Sequence, residues 1–312
     1  SVTSRGYSGR FADDLLVMID GRTVYSPLFA GTFWETLDLP LEDIERIEVI
    51  RGPSGTIWGA NAANGAIHIL TKHARATQGT LMTSGGGSEE RGFATLRYGG
   101  QMGENLYYRL YTKGFARDHS FSPMGTNDNS RMGTVGFRVD WDVNTNNAVT
   151  FQGQYYGGKA GQNTTFVNPV EPELAITRVE DANLSGGHAL ARWQRTTGDR
   201  SNTVLQAYYD HTRRDELSFR ESRHTVDIDF QQRFPLQIPF VPFSQDIVWG
   251  GGYRWTMDHL GGGLPIFFDP ARRNLQTGNV FAQTDIPLIE DRLKLAVGIK
   301  FLDNTYTHSN LL

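Results

Sequence analysis

The chain has 312 residues, of which 38% are hydrophobic and 21% charged, and its formal net charge is −4. That balance is not typical of a nucleic-acid-binding protein, and the absence of cysteine excludes disulfides, thiol catalysis and thiolate metal sites. No apolar run approaches the roughly 18 residues of a membrane-spanning helix, whereas the weaker alternating pattern of a transmembrane β-barrel is compatible with these numbers.

Short apolar strands joined by glycine and proline turns fill the first region of the chain. Residues 15–25 are predicted to form a hairpin, because Asp20-Gly21 is typical of a type I′ turn. Residues 40–52 begin with an acidic turn of helix and continue as a strand, and residues 66–71 form another strand.

Near residue 77 the pattern changes to long strands that alternate apolar and polar side chains. Residues 135–143 alternate in this way. Near the end of the chain, the polar Lys300 lies between the apolar Ile299 and Phe301. Soluble sheets usually have strands of about 5–6 residues. These run for about ten residues or more, which is enough to cross a bilayer at the usual tilt. The pattern predicts the wall of a transmembrane β-barrel, with its polar face toward the lumen.

About eleven such strands are predicted, and the connections between them alternate in length as periplasmic turns and extracellular loops do. The strands lie near 79–87, 91–102, 104–117, 130–143, 147–160, 184–197, 202–216, 222–234, 244–258, 275–287 and 292–305. Long external connections are expected at 118–129, 161–183, 217–221 and 259–274. The proline-rich segment 234–243 is an unexplained exception on the periplasmic side.

The first region resembles the plug domain of TonB-dependent outer-membrane transporters. The matching residues form a long ordered series: Arg5-Gly6, the LVMIDGR hairpin at 16–22, IEVIRGP at 47–53, Trp58-Gly59, and NGAI at 64–67 leading to ILTK at 69–72. A series of this length is far more specific than a single glycine motif.

This resemblance implies a mainly β fold, with a small α+β plug domain followed by long antiparallel transmembrane strands. We expect a plug domain over 1–76, without its N-terminal part, and the N-terminal half of a barrel over 77–312. Family barrels have 22 strands, and about eleven cannot close a single-chain barrel. The chain is therefore expected to be a fragment.

The resemblance also implies a function, namely TonB-dependent active uptake of a scarce, large solute across the bacterial outer membrane. The expected ligands are a siderophore, cobalamin, haem or a glycan, and we favour a ferric siderophore or another metal chelate. The expected partners are TonB, through a segment missing from this chain, and outer-membrane lipid, but no nucleic acid. The alternative is a passive porin-like or structural outer-membrane barrel.

Other chemistry finds little support in the sequence. The glycine-rich stretch 52–65 lacks both the Gly-Lys-Ser/Thr ending of a phosphate loop and the G-x-G-x-x-G pattern, so its glycines are interpreted as structural. The histidines show no metal-binding spacing. Asp43, Glu45 and Glu48, near a short helical turn, are interpreted as acids that serve the helix dipole rather than as a catalytic carboxylate pair. We therefore expect no enzyme activity, no metal site and no cofactor.

Two groups of site residues follow from the resemblance. The loop after the hairpin and a turn near 61–64 are expected to rise to the plug apex and contact ligand through Tyr25, Ser26, Phe29, Phe33, Trp34, Asn61 and Asn64. The alternative, a loop that merely packs the core, is equally compatible with these aromatics. Arg5 and Arg51 are expected to lock the plug to wall glutamates, and Arg51 to lack such a partner in this chain; the alternative is an ordinary surface salt bridge.

Overall fold

The computed structural model describes residues 15–29, 31–51, 65–120, 127–167, 175–198, 200–236, 245–263, 266–289, 292–306 and 310–311. They form a four-stranded sheet, order β2-β1-β4-β3, and a twelve-stranded sheet in which β5 to β16 follow one another. No helix in the described part of the chain is long and apolar enough to cross a membrane.

The small sheet is the plug. Its strands are β1 (Leu15–Ile19), β2 (Arg22–Thr23), β3 (Ile44–Arg51) and β4 (Gly65–Thr71). β1 pairs with β4 in parallel, and β3 pairs with β4 in antiparallel orientation. Short 3-10 turns lie at Trp34–Thr36 and Leu41–Asp43, and a third, Ala74–Thr77, leads into the large sheet.

The predicted hairpin is confirmed in the plug, and so is the structural interpretation of Gly65; the other glycines of the stretch 52–65 lie outside the described residues. Asp20 and Gly21 have φ angles of 50° and 80°, as a type I′ turn requires. Gly65 has a φ of 134°, and a Cβ at this position would lie 2.4 Å from the carbonyl oxygen of Ile50. Glycine is needed here because the backbones of β3 and β4 approach too closely for a side chain.

The large sheet is the wall, and every neighbouring pair of its strands is antiparallel. Eleven long strands were expected, and β5 to β15 match them, with the two-residue β16 added at the edge. The strands are β5 (Gly79–Gly85), β6 (Glu90–Met102), β7 (Leu106–Arg117), β8 (Ser130–Asn144), β9 (Asn147–Val167), β10 (Ala175–Thr197), β11 (Ser201–Asp215), β12 (Phe219–Leu236), β13 (Gln245–Gly262), β14 (Arg272–Ile289), β15 (Leu293–Asn304) and β16 (Asn310–Leu311).

The two faces of the wall differ as the alternation predicts. On β8, Phe137 and Trp141 are 41% and 45% exposed, whereas Arg138 and Asp140 between them are buried against the plug. On β15, Ile299 is 56% exposed. Apolar side chains therefore point away from the plug, where lipid would surround them, and charged side chains point toward it.

The expected long connection at 161–183 is wrong. β9 and β10 continue through most of it, with Gly161 opposite Asp181 and Val167 opposite Ala175. Apolar and polar side chains alternate only where one face of a strand contacts lipid. Where the hairpin continues into water, its strands keep their backbone hydrogen bonds but lose this alternation, so the sequence does not reveal them. The described part of the proline-rich segment also belongs to a strand, since β12 reaches Leu236; residues 237–244 lie outside the described residues.

The chain passes from plug to wall between Thr71 and Gly79, and the two sheets share no strand. The proposed boundary between domains 1–76 and 77–312 falls within this passage.

Candidate functional site

The plug contacts the wall through several groups of buried polar and charged side chains. The first group surrounds Asp20, in the hairpin turn. Asp20 Oδ1 accepts from the Thr71 amide at 2.9 Å, and Oδ2 accepts from the Thr71 hydroxyl at 2.7 Å and from Gln152 at 3.1 Å. Arg138 lies 3.6 Å from the same carboxylate, and Arg192 donates to the Asp20 carbonyl oxygen. One turn residue thus contacts β8, β9 and β10.

A second contact joins the plug to β6 and β7. The Asp43 carboxylate pairs with Arg97 and lies 3.4 Å from Nε of Arg109. Asp43 lies in the first turn of its three-residue 3-10 helix, and the interpretation that it serves the helix dipole stays a prediction. Its negative charge is balanced by the wall. On β7, Lys113 pairs with Asp38 in the same way.

The loop 24–36 is fastened to β11 and β12. Glu35 accepts from Arg214 at 2.6 Å, and the guanidinium of Arg214 also stacks over the Phe33 ring, 4.6 Å from its centroid. The buried Ser26 hydroxyl accepts from Arg223 at 2.5 Å. These contacts lie where β11 ends and β12 begins, on the side of the wall opposite the tight turns.

Two further contacts lie at the plug strand β2. Arg22 donates to Asp210 of β11 at 2.5 Å, and Arg254 of β13 donates to the Thr23 hydroxyl at 3.1 Å. Arg254 is itself paired with Asp227 at 2.6 Å. Apart from Arg22, the charged groups that the plug contributes to these described contacts are acids, whereas those of the wall are mostly arginines.

A cavity of about 130 Å³ separates the plug loop from the wall beside these contacts, lined in part by Tyr25, Tyr156, Tyr208 and Arg223. Pockets for drug-sized ligands measure about 300–1,000 Å³. The cavity is therefore smaller than the pockets that hold drug-sized ligands.

His68 of β4 packs behind the hairpin turn in its neutral form. Its Nε2 accepts from the Gly21 amide at 3.1 Å, and its Nδ1 lies 3.8 Å from the Glu48 carboxylate. Burial lowers the pKa of His68 below its ordinary value, while the charge of Glu48 acts in the opposite direction. Neutral His68 therefore supports the turn that carries Asp20.

The predicted apex residues are brought together only in part. Tyr25 packs against the plug core formed by Leu16, Met18 and Ala66. Phe33 is 7% exposed and lies between Arg214 and the edge of Phe29, whose ring centroid is 4.7 Å away. Ser26 and Phe33 therefore support the loop rather than offer an open face.

Phe29 and Trp34 are partly exposed, and their ligand-binding role stays a prediction. Asn61 and Asn64 lie outside the described residues, as does Arg5. Arg51 is exposed and forms no ion pair with any described residue. Its role in a lock also stays a prediction.

The arrangement of a small mixed sheet held against a wall of long strands has clear relatives. Residues 1–66 match the TonB-dependent Receptor Plug Domain family. The chain thus carries a TonB-dependent receptor plug domain in its first 66 residues. It is 26% identical to the ferric enterobactin receptor of Pseudomonas aeruginosa over 93% of the chain and 46% of that protein. Over 31% of the chain and 16% of the relative, it is 32% identical to the vitamin B12 transporter BtuB of Vibrio vulnificus.

Solved TonB-dependent receptors share the fold. The siderophore receptor PirA from Pseudomonas aeruginosa superposes with a TM-score of 0.71 at 19% identity, over 96% of this chain and 50% of PirA. The ferric citrate transporter FecA superposes with a TM-score of 0.67 at 14% identity. The chain thus spans about half the length of these relatives, all of which are receptors or transporters.

The plug–wall ion pairs were not predicted from the sequence. A partial signal was present, because Arg138 and Arg254 lie on the polar face of predicted strands. Nothing local connected Arg138 to Asp20 or Arg254 to Thr23, each more than a hundred residues earlier in the chain.

Proposed function

We propose that this receptor carries a ferric siderophore or a similar metal chelate across the bacterial outer membrane, and that it acts as a transporter rather than as an enzyme. The observation that carries this proposal is the plug itself, fastened to the inner face of the wall by Asp20 and Asp43. A passive pore needs no such obstruction. The named ligands of the relatives, enterobactin and vitamin B12, favour large, scarce solutes.

TonB is the proposed partner that supplies energy, and it would act on the plug from the periplasmic side. The charged contacts suit this role, because water can replace each of them as the plug moves. The alternative is a passive or purely structural barrel, in which the same contacts would hold the plug permanently.

Energy dependence separates these two functions. Cells that express the full-length receptor in a strain lacking its own siderophore receptors would be given ⁵⁵Fe-labelled ferric enterobactin as the probe. We expect uptake that stops when the proton-motive force is dissipated and when TonB is deleted. Uptake that persists in both conditions would establish a passive pore instead.

We further propose that the ligand lies over the plug apex, above Phe29 and Trp34, with Asn61 and Asn64 beside them. Phe29→Ala removes a partly exposed ring that packs on Phe33. Since aromatic faces on loops contribute strongly to binding, we expect binding of ferric enterobactin to whole cells to weaken by about tenfold or more.

A matched control is Phe230→Ala, which removes a ring from the wall strand β12 far along the chain. It should leave binding unchanged. Equal affinity of Phe29→Ala and the unmodified receptor, with normal membrane insertion, would show that the apex assignment is wrong.

A further inference from the structure

The outer ends of β9 and β10 form a hairpin that extends beyond the neighbouring strands. Pairing of β8 with β9 reaches outward only to Ala160, and pairing of β11 with β10 reaches only to Asn183. Beyond these residues, in the described part of the chain, β9 and β10 pair with each other alone. This part, residues 161–167 and 175–182, is called the external hairpin below. Its position against the rest of the wall therefore depends on contacts outside the regular strand pairing.

Glu180 of β10 joins the external hairpin to the next connection of the wall. Its Oε1 accepts from Nε2 of Gln162 and from the Thr164 hydroxyl, both at 2.9 Å, so two residues of β9 fix the carboxylate. Its Oε2 accepts from the backbone amide of Leu217 at 2.8 Å. Leu217 lies in the connection 216–218 between β11 and β12. Hydrogen bonds to a charged acceptor are among the stronger kinds, so this one carboxylate holds the hairpin and the connection together.

The connection 216–218 continues these contacts to the plug. Glu216 Oε2 accepts from Nε of Arg214 at 2.7 Å, and the two side chains are only 0% and 3% exposed. The same guanidinium donates to Glu35 of the plug and stacks over the ring of Phe33. Arg214 is shielded from water, so the loss of either carboxylate would leave its charge underpaired and alter its contacts with the plug.

We propose that Glu180 is a positioning residue for the plug loop 24–36, although it has no contact with that loop in the described structure. Glu180 holds the connection 216–218, the connection holds Glu216 against Arg214, and Arg214 holds the loop. These contacts need no ligand, so they order the loop in advance of binding and reduce the entropy lost when a ligand is captured. The effect of Glu180 on ligand binding rests on the proposed apex site, whereas its effect on the order of the loop does not.

Hydrogen exchange of the ligand-free, full-length receptor in detergent tests the proposal. The reporters are amides of the loop that donate backbone hydrogen bonds within it, namely Ser26, Gly31 and Thr36. Glu180→Ala should speed their exchange by roughly tenfold or more, because it frees Leu217 and, through Glu216, one side of Arg214. The amides of β1, in the plug core, should keep their exchange rates.

The matched control is Asp181→Ala, which removes the adjacent acid of the same strand. Asp181 is exposed, lies opposite Gly161, and forms no side-chain hydrogen bond or ion pair with any residue that the structure describes. Its loss should leave exchange unchanged. If Glu180→Ala fails to insert into the membrane, Thr164→Val keeps the shape of a buried side chain and removes one donor to the Glu180 carboxylate, and it should speed exchange severalfold.

Binding of ferric enterobactin to whole cells is a separate measurement. Glu180→Ala should weaken binding severalfold, and its addition to Phe29→Ala should weaken binding no further, because both changes act through the same ring. Normal binding by Phe29→Ala would contradict the apex site, and the exchange result, which uses no ligand, would still decide the role of Glu180.

Unchanged exchange of the loop in a correctly inserted Glu180→Ala receptor would overturn the proposal. Equal acceleration in β1 would overturn it too, because Glu180 would then support the whole plug rather than position one loop. Equal acceleration by Asp181→Ala would assign the effect to the loss of negative charge on the external hairpin, and the proposal would again be wrong.

Discussion

The substitution Asp20→Asn removes one charge from the plug–wall contact while keeping the shape of the turn. Asparagine tolerates the φ of 50° found at this position. It keeps an oxygen for the Thr71 amide but places an NH₂ group where the carboxylate accepts from the Thr71 hydroxyl and from Gln152. It also removes the negative charge 3.6 Å from Arg138.

Hydrogen bonds to a charged group contribute about 1.5–3 kcal/mol each, so the loss of two amounts to roughly 3–6 kcal/mol. Two features reduce this loss. Arg138 keeps its partner Asp140 at 2.8 Å and is not left as an unpaired buried cation. The Thr71 hydroxyl can accept from the new NH₂ group, which recovers about 1 kcal/mol. We expect the free energy of plug unfolding to fall by about 2–5 kcal/mol.

Hydrogen exchange of the backbone amides in β1 and β4 measures plug opening in the full-length receptor, and heat-dependent gel mobility measures the barrel separately. A loss of about 2 kcal/mol corresponds to roughly thirtyfold faster exchange. Glu45→Gln is the control, because Glu45 pairs, among the described residues, only with the exposed Arg46 on the same sheet. Unchanged exchange in Asp20→Asn would refute the view that this carboxylate fastens the plug.

Three other predictions concern the two sheets. Gly65→Ala should destabilise the plug by about 2 kcal/mol or more, measured as a shift in its urea midpoint, because the new methyl group meets the Ile50 carbonyl oxygen at 2.4 Å. Ile299→Arg should cost about 2–4 kcal/mol of barrel stability and Lys300→Arg almost nothing; equal tolerance would mean that the two faces of β15 are assigned wrongly. Because burial lowers the pKa of folded His68 below the unfolded value of about 6.5, its contribution is complete above that pH and is lost as the pH falls through the folded pKa. The protection of plug amides against exchange should therefore fall in acid, and a His68→Gln receptor with the same acid response would contradict this assignment.

The features best predicted from sequence are those set by residues adjacent in the chain or by contact of a strand face with lipid or water. The turn at Asp20-Gly21 follows from the conformational preferences of two residues, and the faces of β8 and β15 follow from alternation imposed by lipid. The strands between 161 and 183 were missed because that alternation ends where the membrane ends.

The plug–wall contacts are harder to predict for a different reason. Asp20 and Arg138 are far apart in the chain, and each residue alone is compatible with a solvated turn or a solvated lumen. The same holds for Asp43, whose place at a short helical turn suggested a local role. Only the fold brings these charges together, and their polarity, with mostly acids on the plug and mostly arginines on the wall, carries no local signature.

The plug and the wall contact each other mainly through charged and polar groups, which explains how the plug can be held in place and still be displaced. Of the described residues, one buried apolar cluster around Leu16 and Met18 lies wholly within the plug, and another around Met132 and Leu184 lies wholly within the wall. Neither crosses the interface. Separating an apolar interface would expose area at about 25 cal/mol per Å², a cost that water cannot reduce. When an ion pair separates, water can solvate both partners. In the bound plug these pairs are shielded from water and hold it in place, and hydration of each pair lowers the cost of displacing the plug. If the plug moves as proposed, this division would let it do so without unfolding the wall.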